Sequence, residues 1–172
     1  MKESEKPRYL EPSQEAGRAF VSRQLKGRVV MLNLLRFRDV ADYSATPDLA
    51  PPTPITGQEA YQRYVKHTLP YLQQAGGDVI FVGTGGQVLI GPPDERWDLA
   101  IVVRHASVEA FLSFASNEDY LAGMGHRMAA LEDSRLLPLV EGSRTLWGDA
   151  RHMSGATDEV NGIDSSVGVP CL

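Results

Sequence analysis

The sequence predicts an α+β fold of the ferredoxin-like type, in which elements in the order βαββαβ form an antiparallel sheet covered by helices on one face. Residues 28–38 and 97–105 are apolar runs with charges at their ends, as expected for the two central strands of this sheet. A helical pattern follows each run, and further strand patterns complete the order. Because the other sheet face needs a cover, we expect a second copy of the chain to pack there as a homodimer, forming a dimeric α/β barrel.

Length and composition indicate a soluble globular protein. The chain has 172 residues, enough for one domain with appendages, and is 42% hydrophobic and 23% charged. Its net charge of −5, without a block of lysine and arginine, predicts that it binds neither nucleic acid nor an anionic membrane surface. Residues 1–17 lack an apolar signal region, and no run approaches the roughly 18 apolar residues of a membrane span, which predicts a cytoplasmic protein.

Composition divides the chain into three predicted parts. Residues 1–27 are polar, with a helical candidate at about residues 13–25, and are interpreted as an N-terminal arm or helix. Residues 28–141 hold the ferredoxin-like domain. Residues 142–172 are rich in small and polar residues, with too little apolar content for a core, so we predict a tail that is disordered or lies across another surface. The single cysteine, Cys171, excludes an intrachain disulfide.

The first strand carries a polar residue at its centre. Asn33 lies within the apolar run 28–38, where an amide left without partners costs about 1–3 kcal/mol. We therefore expect its side chain either to join a polar network or to face a cavity. The segment that follows, 39–55, is rich in proline and long for a connection, which is typical of a lid or a partly mobile loop.

The first long helix begins with a capping box, Thr56 with Glu59, and ends at Gly76-Gly77. Pro70 lies inside the pattern and predicts a kink or a new start in the last turn. One face is apolar and is predicted to pack on the sheet. It is formed by Tyr61, Tyr64, Val65, Thr68, Leu69 and Leu72.

The second half of the domain is predicted to supply the remaining strands and the second helical region. Residues 78–82 and 87–90 read as strands on either side of a glycine-rich hairpin or bulge at 84–86. Ser107 is placed to cap a short helix, and a second helical stretch follows through residue 131. The last strand, 135–140, contains Pro138, which favours an edge position.

Several short motifs, in this order and spacing, resemble domain-of-unknown-function family 1330 of the dimeric α/β-barrel superfamily over about residues 28–141. The resemblance implies a ferredoxin-like fold and a dimer, and brings no established reaction. The motifs are NLLRFR at 33–38, Tyr61, Tyr64, Gly76-Gly77, LIG at 89–91, Trp97-Asp98, Ser107, Phe111, Tyr120, Arg127 and LEDSRLLP at 131–138.

In many members of this superfamily a pocket lies between the sheet and the helices, and the resemblance places one here. In the functional interpretation, Asn33 and Arg127 orient an oxygenated or carboxylated substrate while aromatic rings supply apolar area. In the structural interpretation, Asn33 pairs with backbone and the tyrosines are core residues with their hydroxyls at the rim. The candidate site residues are Asn33, Phe37, Tyr61, Tyr64, His105, Phe111, Tyr120 and Arg127.

Charged and titratable side chains offer weaker signals. Arg36, Arg38 and Arg104 stand at strand ends, where they either bind an anion together or pair with acids such as Asp39 and Asp98. No spacing of histidine, cysteine or acid predicts a metal site, and we expect no cofactor.

Two of the histidines are possible catalytic residues, and the histidine positions also disfavour one activity. His67 and His105 are candidate general bases if they reach the pocket. The haem-degrading branch of the superfamily uses an asparagine, a tryptophan and a histidine at set positions, and only Asn33 matches, so haem breakdown is disfavoured.

Two functions remain open from the sequence. The first is a small-molecule-binding protein that works as a cofactor-independent monooxygenase or isomerase on an aromatic or acidic metabolite. The second is a non-catalytic, ligand-binding or stress-associated homodimer. A water-accessible cavity at Asn33 favours the enzyme, whereas an Asn33 amide paired with backbone favours the second function.

Overall fold

The four-stranded sheet has the predicted topology. The computed structural model describes residues 7–140, which belong to one compact unit; the predicted tail at 142–172 lies outside these residues. All strand pairs are antiparallel, in the order β2-β3-β1-β4, so β1 and β3 are central as expected. This is the ferredoxin-like fold. The strands are β1 (Val29–Phe37), β2 (Asp78–Gln87), β3 (Arg96–His105) and β4 (Leu131–Val140).

The helices follow the predicted order, but the second helical region is divided into three. The capping box at Thr56 and Glu59 is present, and Pro70 lies inside its helix without ending it. Asn117 caps the middle piece, and the last piece begins after Gly123, where a Cβ atom would lie 2.1 Å from the His67 ring. The helices are α1 (Gln14–Ser22), α2 (Gly57–Gln74), α3 (Val108–Ala115), α4 (Glu118–Leu121) and α5 (Met124–Ala130).

The strand register assigns each side chain to one face of the sheet. Because residues that pair directly share a face, the pairs Met31–Val103 and Leu35–Leu99 lie on the same side as Asn33 and its partner Ile101. Leu35 and Ile101 are in the main core cluster with residues of α2 and α5, so this side faces the helices. Leu32, Leu34 and their partners therefore lie on the opposite, open side.

The proline-rich segment 39–55, which the sequence predicts to be a lid or a partly mobile loop, is packed against α5 in the structure. Within this segment, the Asp42 N–H donates to Ala129 O of α5 at 2.9 Å, and the side chain of Tyr43 is buried. The Tyr43 hydroxyl is 2.8 Å from His126 Nδ1. A single 3₁₀ turn, Pro47–Leu49, lies in the middle. Buried side chains and backbone bonds therefore supply the order that the sequence pattern lacks.

The predicted glycine hairpin at 84–86 is wrong, because β2 runs straight through it to Gln87. A Cβ atom on Gly85 would lie 2.3 Å from the Trp97 carbonyl oxygen, so the glycine permits close pairing of β2 with β3. The connection is instead residues 88–95, and the predicted strand 87–90 contributes only Gln87. Leu89 and Ile90 lie in this connection, 99% and 84% exposed. Pro138 lies in edge strand β4, as predicted.

Candidate functional site

Asn33 lies on the helix-facing side of β1, and its amide nitrogen is already used within the sheet. Nδ2 donates to the carbonyl oxygens of Met31, at 3.2 Å, and Ile101, at 3.4 Å. These two acceptors fix the orientation of the amide, since the reverse orientation would place oxygen against oxygen. Oδ1 makes no hydrogen bond to residues 7–140. The side chain therefore offers a ligand an acceptor and no donor.

An aromatic row runs along the helix-facing side and connects six of the eight candidate residues. The six are Phe37, Tyr61, Tyr64, Tyr120, His105 and Phe111, with Phe114 linking Tyr120 to His105. Consecutive ring centroids lie between 4.3 and 6.4 Å apart. The structure therefore brings these candidates into one contiguous group.

Three tyrosines form the polar part of this row. The hydroxyls of Tyr64 and Tyr120 are 3.1 Å apart, whereas the Tyr61 hydroxyl makes no hydrogen bond within the described chain. Burial raises the pKa of Tyr61 and of Tyr120, and Arg127 opposes that rise only in part. Tyr61 and Tyr120 therefore stay neutral at physiological pH and act as hydrogen-bonding groups rather than as bases.

Arg127 anchors the N-terminal segment. Its Nη1 donates to Leu10 O at 2.6 Å, and its Nη2 donates to Ser134 Oγ at 3.3 Å. Tyr9 completes the attachment, because its carbonyl accepts from Ser134 N at 2.9 Å and its N–H donates to Asp133 at 2.8 Å. The guanidinium thus joins α5, β4 and the segment before α1, which favours the structural interpretation of Arg127.

His105 lies at the other end of the row from Phe37. It is 2% exposed, its ring contacts Phe111 and Phe114, and Nδ1 has no hydrogen-bond partner among residues 7–140. Burial lowers the pKa of His105, because the apolar surroundings disfavour the charged ring. His105 is therefore a neutral imidazole within the core.

A surface cleft of about 330 Å³ lies at the end of β1. Its lining residues are Arg8, Phe37, Arg38, Asp39, Arg96 and Glu132. Of the eight candidate site residues, Phe37 is the one that lines the cleft, and its ring is 5.5 Å from Tyr61; Arg38, considered above for anion binding, lines it as well. Arg8, Arg96 and Glu132 come from three distant segments, and no local motif marks them, so sequence reasoning missed them.

The strand-end arginines do not converge on one site, and two of the three pair with acids, which was the other alternative left open by the sequence. Arg104 pairs with Asp78 at 2.9 Å, opposite Val30 and thus at the far end of β1 from Arg36 and Arg38. Arg36 pairs with Glu132 and Asp133 rather than with Asp39 or Asp98. Only Arg38 of the three lines the cleft.

The remaining histidine and metal expectations concern residues away from this row. His67 donates its Nε2–H to the Asp119 carbonyl oxygen at 2.7 Å, which occupies that ring nitrogen. Within residues 7–140, no three histidine, cysteine or acidic side chains are grouped so as to hold a metal ion. In the same range, no helix is long and apolar enough to cross a membrane.

Comparisons with known proteins identify a family and two similar structures. The sequence profile described as "Domain of unknown function (DUF1330)" matches residues 52–143, which confirms the resemblance but leaves Asn33 and Phe37 outside the matched range. No curated protein matches the chain.

The two similar structures are of RPA0582, described as a protein of unknown function from Rhodopseudomonas palustris. The methylated form is 34% identical, with a TM-score of 0.71, and the match covers 79% of this chain and 96% of that one. The other is 35% identical, with a TM-score of 0.67, and the match covers 77% of this chain and 96% of that one. A dimeric protein of ferredoxin-like fold from Bacteroides fragilis is 11% identical, with a TM-score of 0.41 and 65% and 94% covered.

Proposed function

We propose a function for this chain, which belongs to the DUF1330 family: it binds a small aromatic or acidic metabolite and works as a homodimer. The observation that carries the ligand-binding part is the tyrosine cluster, defined as Phe37, Tyr61, Tyr64 and Tyr120. Its rings are in contact, and the Tyr61 hydroxyl has no partner among the described residues. Asn33 Oδ1, on the same strand as Phe37, is also without a partner among the described residues. Apolar rings with a few uncommitted polar atoms are typical of ligand sites.

The geometry favours binding over catalysis. Polarising a substrate carbonyl requires a hydrogen-bond donor, and the Asn33 amide nitrogen already donates to two backbone carbonyls. Arg127 is committed to Leu10 and Ser134, and burial keeps Tyr61 and Tyr120 neutral by raising each pKa. The non-catalytic, ligand-binding homodimer therefore ranks before the enzyme.

The test is a thermal-shift screen of aromatic acids, quinones, lactones, flavins and haem, run on the wild-type chain and on Tyr61→Phe. The substitution removes a hydroxyl that has no described partner, so we expect little change in the stability of the free protein. A ligand at 100 times its Kd stabilises the native state by about 2.7 kcal/mol, and we expect Tyr61→Phe to reduce that stabilisation. Tyr71→Phe, on the same helix and outside the cluster, is the control. No stabilisation by any compound class would contradict the proposal.

A second candidate, the cofactor-independent monooxygenase or isomerase, is favoured by one observation. The buried His105 ring is neutral, and its Nδ1 has no partner in the described part of the chain, as a proton acceptor requires. If the wild-type chain turns over a compound found in the screen, and His105→Gln still binds that compound but no longer converts it, the enzyme becomes the first candidate.

The open face of the sheet supports the homodimer. Its apolar residues are Val30, Leu32, Leu34, Phe81, Ala100, Val102, Leu137 and Leu139, assigned by their register. None of them belongs to the core clusters beneath the helices, and Phe81 and Leu137 are more than half exposed. A contiguous apolar patch of more than a few hundred Å² marks an interface, and the matching patch on a second copy is its natural cover.

Sedimentation equilibrium on two glutamate variants tests this interface. Leu137→Glu places a charge on the open face, so we expect it to convert the dimer into a monomer. Val65→Glu makes the same kind of change at a comparably exposed site on α2, and we expect it to remain dimeric. A wild-type chain that is monomeric at high micromolar concentration would overturn the homodimer.

A further inference from the structure

We infer that α1 is a movable cover, and that the site it closes, around His105, takes a small neutral aromatic compound with one hydroxyl or N–H group. This site is at the opposite end of the aromatic row from the tyrosine cluster, so it goes beyond the proposed function and does not depend on binding at that cluster. The inference depends on how α1 is attached, on the linker that follows it and on the unpaired nitrogens of His105.

Few contacts attach α1 to the rest of the protein. None of its nine residues is buried, and Phe20 has the only side chain of the helix that is even partly buried. The Phe20 ring meets the Phe111 ring edge-on at 5.8 Å, and Arg23 Nη1, at the end of the helix, donates to Pro138 O at 3.2 Å. Because an isolated helix of this length is marginal in water, α1 can open locally while the core stays folded.

The linker between α1 and β1 is built like a hinge. Two of its residues have left-handed backbone, Gln24 with φ +47° and Gly27 with φ +75°, and a glutamine is strained in that conformation. The chain is fixed on both sides, since Leu10 O accepts from Arg127 Nη1 at 2.6 Å and Val29 is fully buried. The helix therefore moves as a flap that is tethered at both ends.

The flap packs at the His105 end of the row. Phe20, Leu25 and Phe111 pack against a buried cluster that includes Val29. His105 pairs directly with Val29 in the sheet, so the two share the helix-facing side, and the His105 ring lies 5.1 Å from the Phe111 ring. Phe111 thus contacts both the cover and His105. Withdrawal of the Phe20 ring leaves a ring-sized space against Phe111, next to His105.

The chemistry of His105 defines the class of ligand. The residue is 2% exposed, and neither ring nitrogen makes a hydrogen bond to residues 7–140. Burial lowers the pKa of His105, so the ring is neutral, offers one donor and one acceptor nitrogen, and has no charge to attract an acid. Buried polar atoms without partners are unfavourable, and a ligand hydroxyl or N–H supplies a partner. Phe111 and Phe114 supply aromatic contacts for its ring.

Amide hydrogen exchange of the full wild-type chain tests whether α1 moves by itself. We expect the amides of α1 to be about 100 times less protected than those in the middle of α2, because opening of the flap does not require the core to unfold. Equal protection of α1 and β1 would overturn the inference, since the helix would then open only when the whole protein unfolds.

NMR titration with matched pairs of compounds tests the ligand class. The probes are phenol with anisole, and indole with 1-methylindole, and the readout is the set of ring resonances of His105, assigned by their loss in His105→Gln. We expect each compound with a donor to bind about five times more tightly than its methylated counterpart. We also expect phenol to speed exchange of the α1 amides and to slow that of α3, because the ligand takes the place of Phe20. Equal binding within both pairs would contradict the role of the His105 nitrogens.

Variants of α1 test the cover. Phe20→Ala removes the ring that the ligand displaces, so we expect phenol to bind about tenfold more tightly. Val21→Ala, on the same helix at a site that is 53% exposed, is the matched control and should change binding less than about twofold. Gln24→Gly relieves the strain of the closed position, so we expect it to slow exchange of α1 and to weaken binding. If Phe20→Ala fails to fold, the glycine variant and the exchange data still decide the question.

The outcomes separate this inference from the proposed function. If Tyr61→Phe weakens phenol binding while Phe20→Ala leaves it unchanged, the compound binds at the tyrosine cluster, so the inference is wrong and the proposed function stands. If phenol binds at His105 but the thermal-shift screen finds no ligand that Tyr61→Phe weakens, the reverse holds. Binding seen in Phe20→Ala and absent from the wild-type chain reports an engineered cavity, and would also overturn the inference.

Discussion

The two ends of the aromatic row are built from similar rings and differ in what surrounds them. At one end, Phe37 borders an arginine-lined cleft, and the nearby Tyr61 hydroxyl has no partner within the described chain. At the other end, His105 is 2% exposed and enclosed by Phe111 and Phe114. The comparison teaches that ring contacts alone do not make a site. Each end has a polar atom without a partner among residues 7–140, the Tyr61 hydroxyl or His105 Nδ1, so access to the cleft is what distinguishes the Phe37 end from the buried His105 end.

The largest expected effect on stability comes from removing the Phe114 ring, at the centre of the aromatic row. Phe114 is 4.3 Å from Tyr120 and 5.8 Å from His105 by ring centroids, and it is 9% exposed. We expect Phe114→Ala to lower the free energy of unfolding by about 3–5 kcal/mol, because it leaves a cavity where the two ends meet. Urea denaturation measures this. A loss below about 1 kcal/mol would mean that the two ends are energetically independent.

The next largest effect concerns His105, at the buried end of the row, and is a change in the free energy of unfolding with pH. Burial lowers the pKa of His105 in the folded state, so between that value and the ordinary value near 6.5 the unfolded chain binds more protons than the native one. Stability is therefore full above about pH 7 and falls as the pH drops, by up to about 1.4 kcal/mol per pH unit. We expect His105→Gln to reduce this slope, measured by urea denaturation between pH 5 and 8.

His126 provides the control for this pH dependence. Burial also lowers its pKa, with Arg63 and His67 adding to the effect, so it contributes a slope of the same sign. His126→Gln therefore separates the two contributions. An unchanged slope in His105→Gln, with a reduced slope in His126→Gln, would show that the buried end does not control the acid sensitivity.

The smallest expected effect concerns the hydrogen bond between the hydroxyls of Tyr64 and Tyr120. Tyr64→Phe removes the 3.1 Å hydrogen bond to Tyr120 and leaves the ring contacts in place. We expect a loss of about 1 kcal/mol in the free energy of unfolding, the usual contribution of one such bond. Tyr71→Phe, whose hydroxyl makes no hydrogen bond to the described residues, should change stability by less than about 0.5 kcal/mol. Equal losses in the two variants would mean that the hydroxyl pair contributes nothing.

The candidate site was only partly predictable from the sequence. The apolar stripe of α2 indicated Tyr61 and Tyr64, since helical spacing places residues on one face whatever they pack against. The partner of Arg127 was not predictable, because the Leu10 carbonyl is 117 positions away. The cleft was missed for the same reason, as Arg8, Arg38, Arg96 and Glu132 meet only after the sheet has formed.

The sequence by itself determined the ferredoxin-like order of elements, the central place of β1 and β3, the helix caps and the edge position of Pro138. These features depend on hydrophobic period, cap chemistry and proline geometry, all of which act over a few residues. Only the tertiary structure decided that segment 39–55 is packed, that β2 continues through Gly85, and which polar atoms make no hydrogen bond within residues 7–140. Those outcomes depend on partners from distant segments, whose positions no local pattern contains.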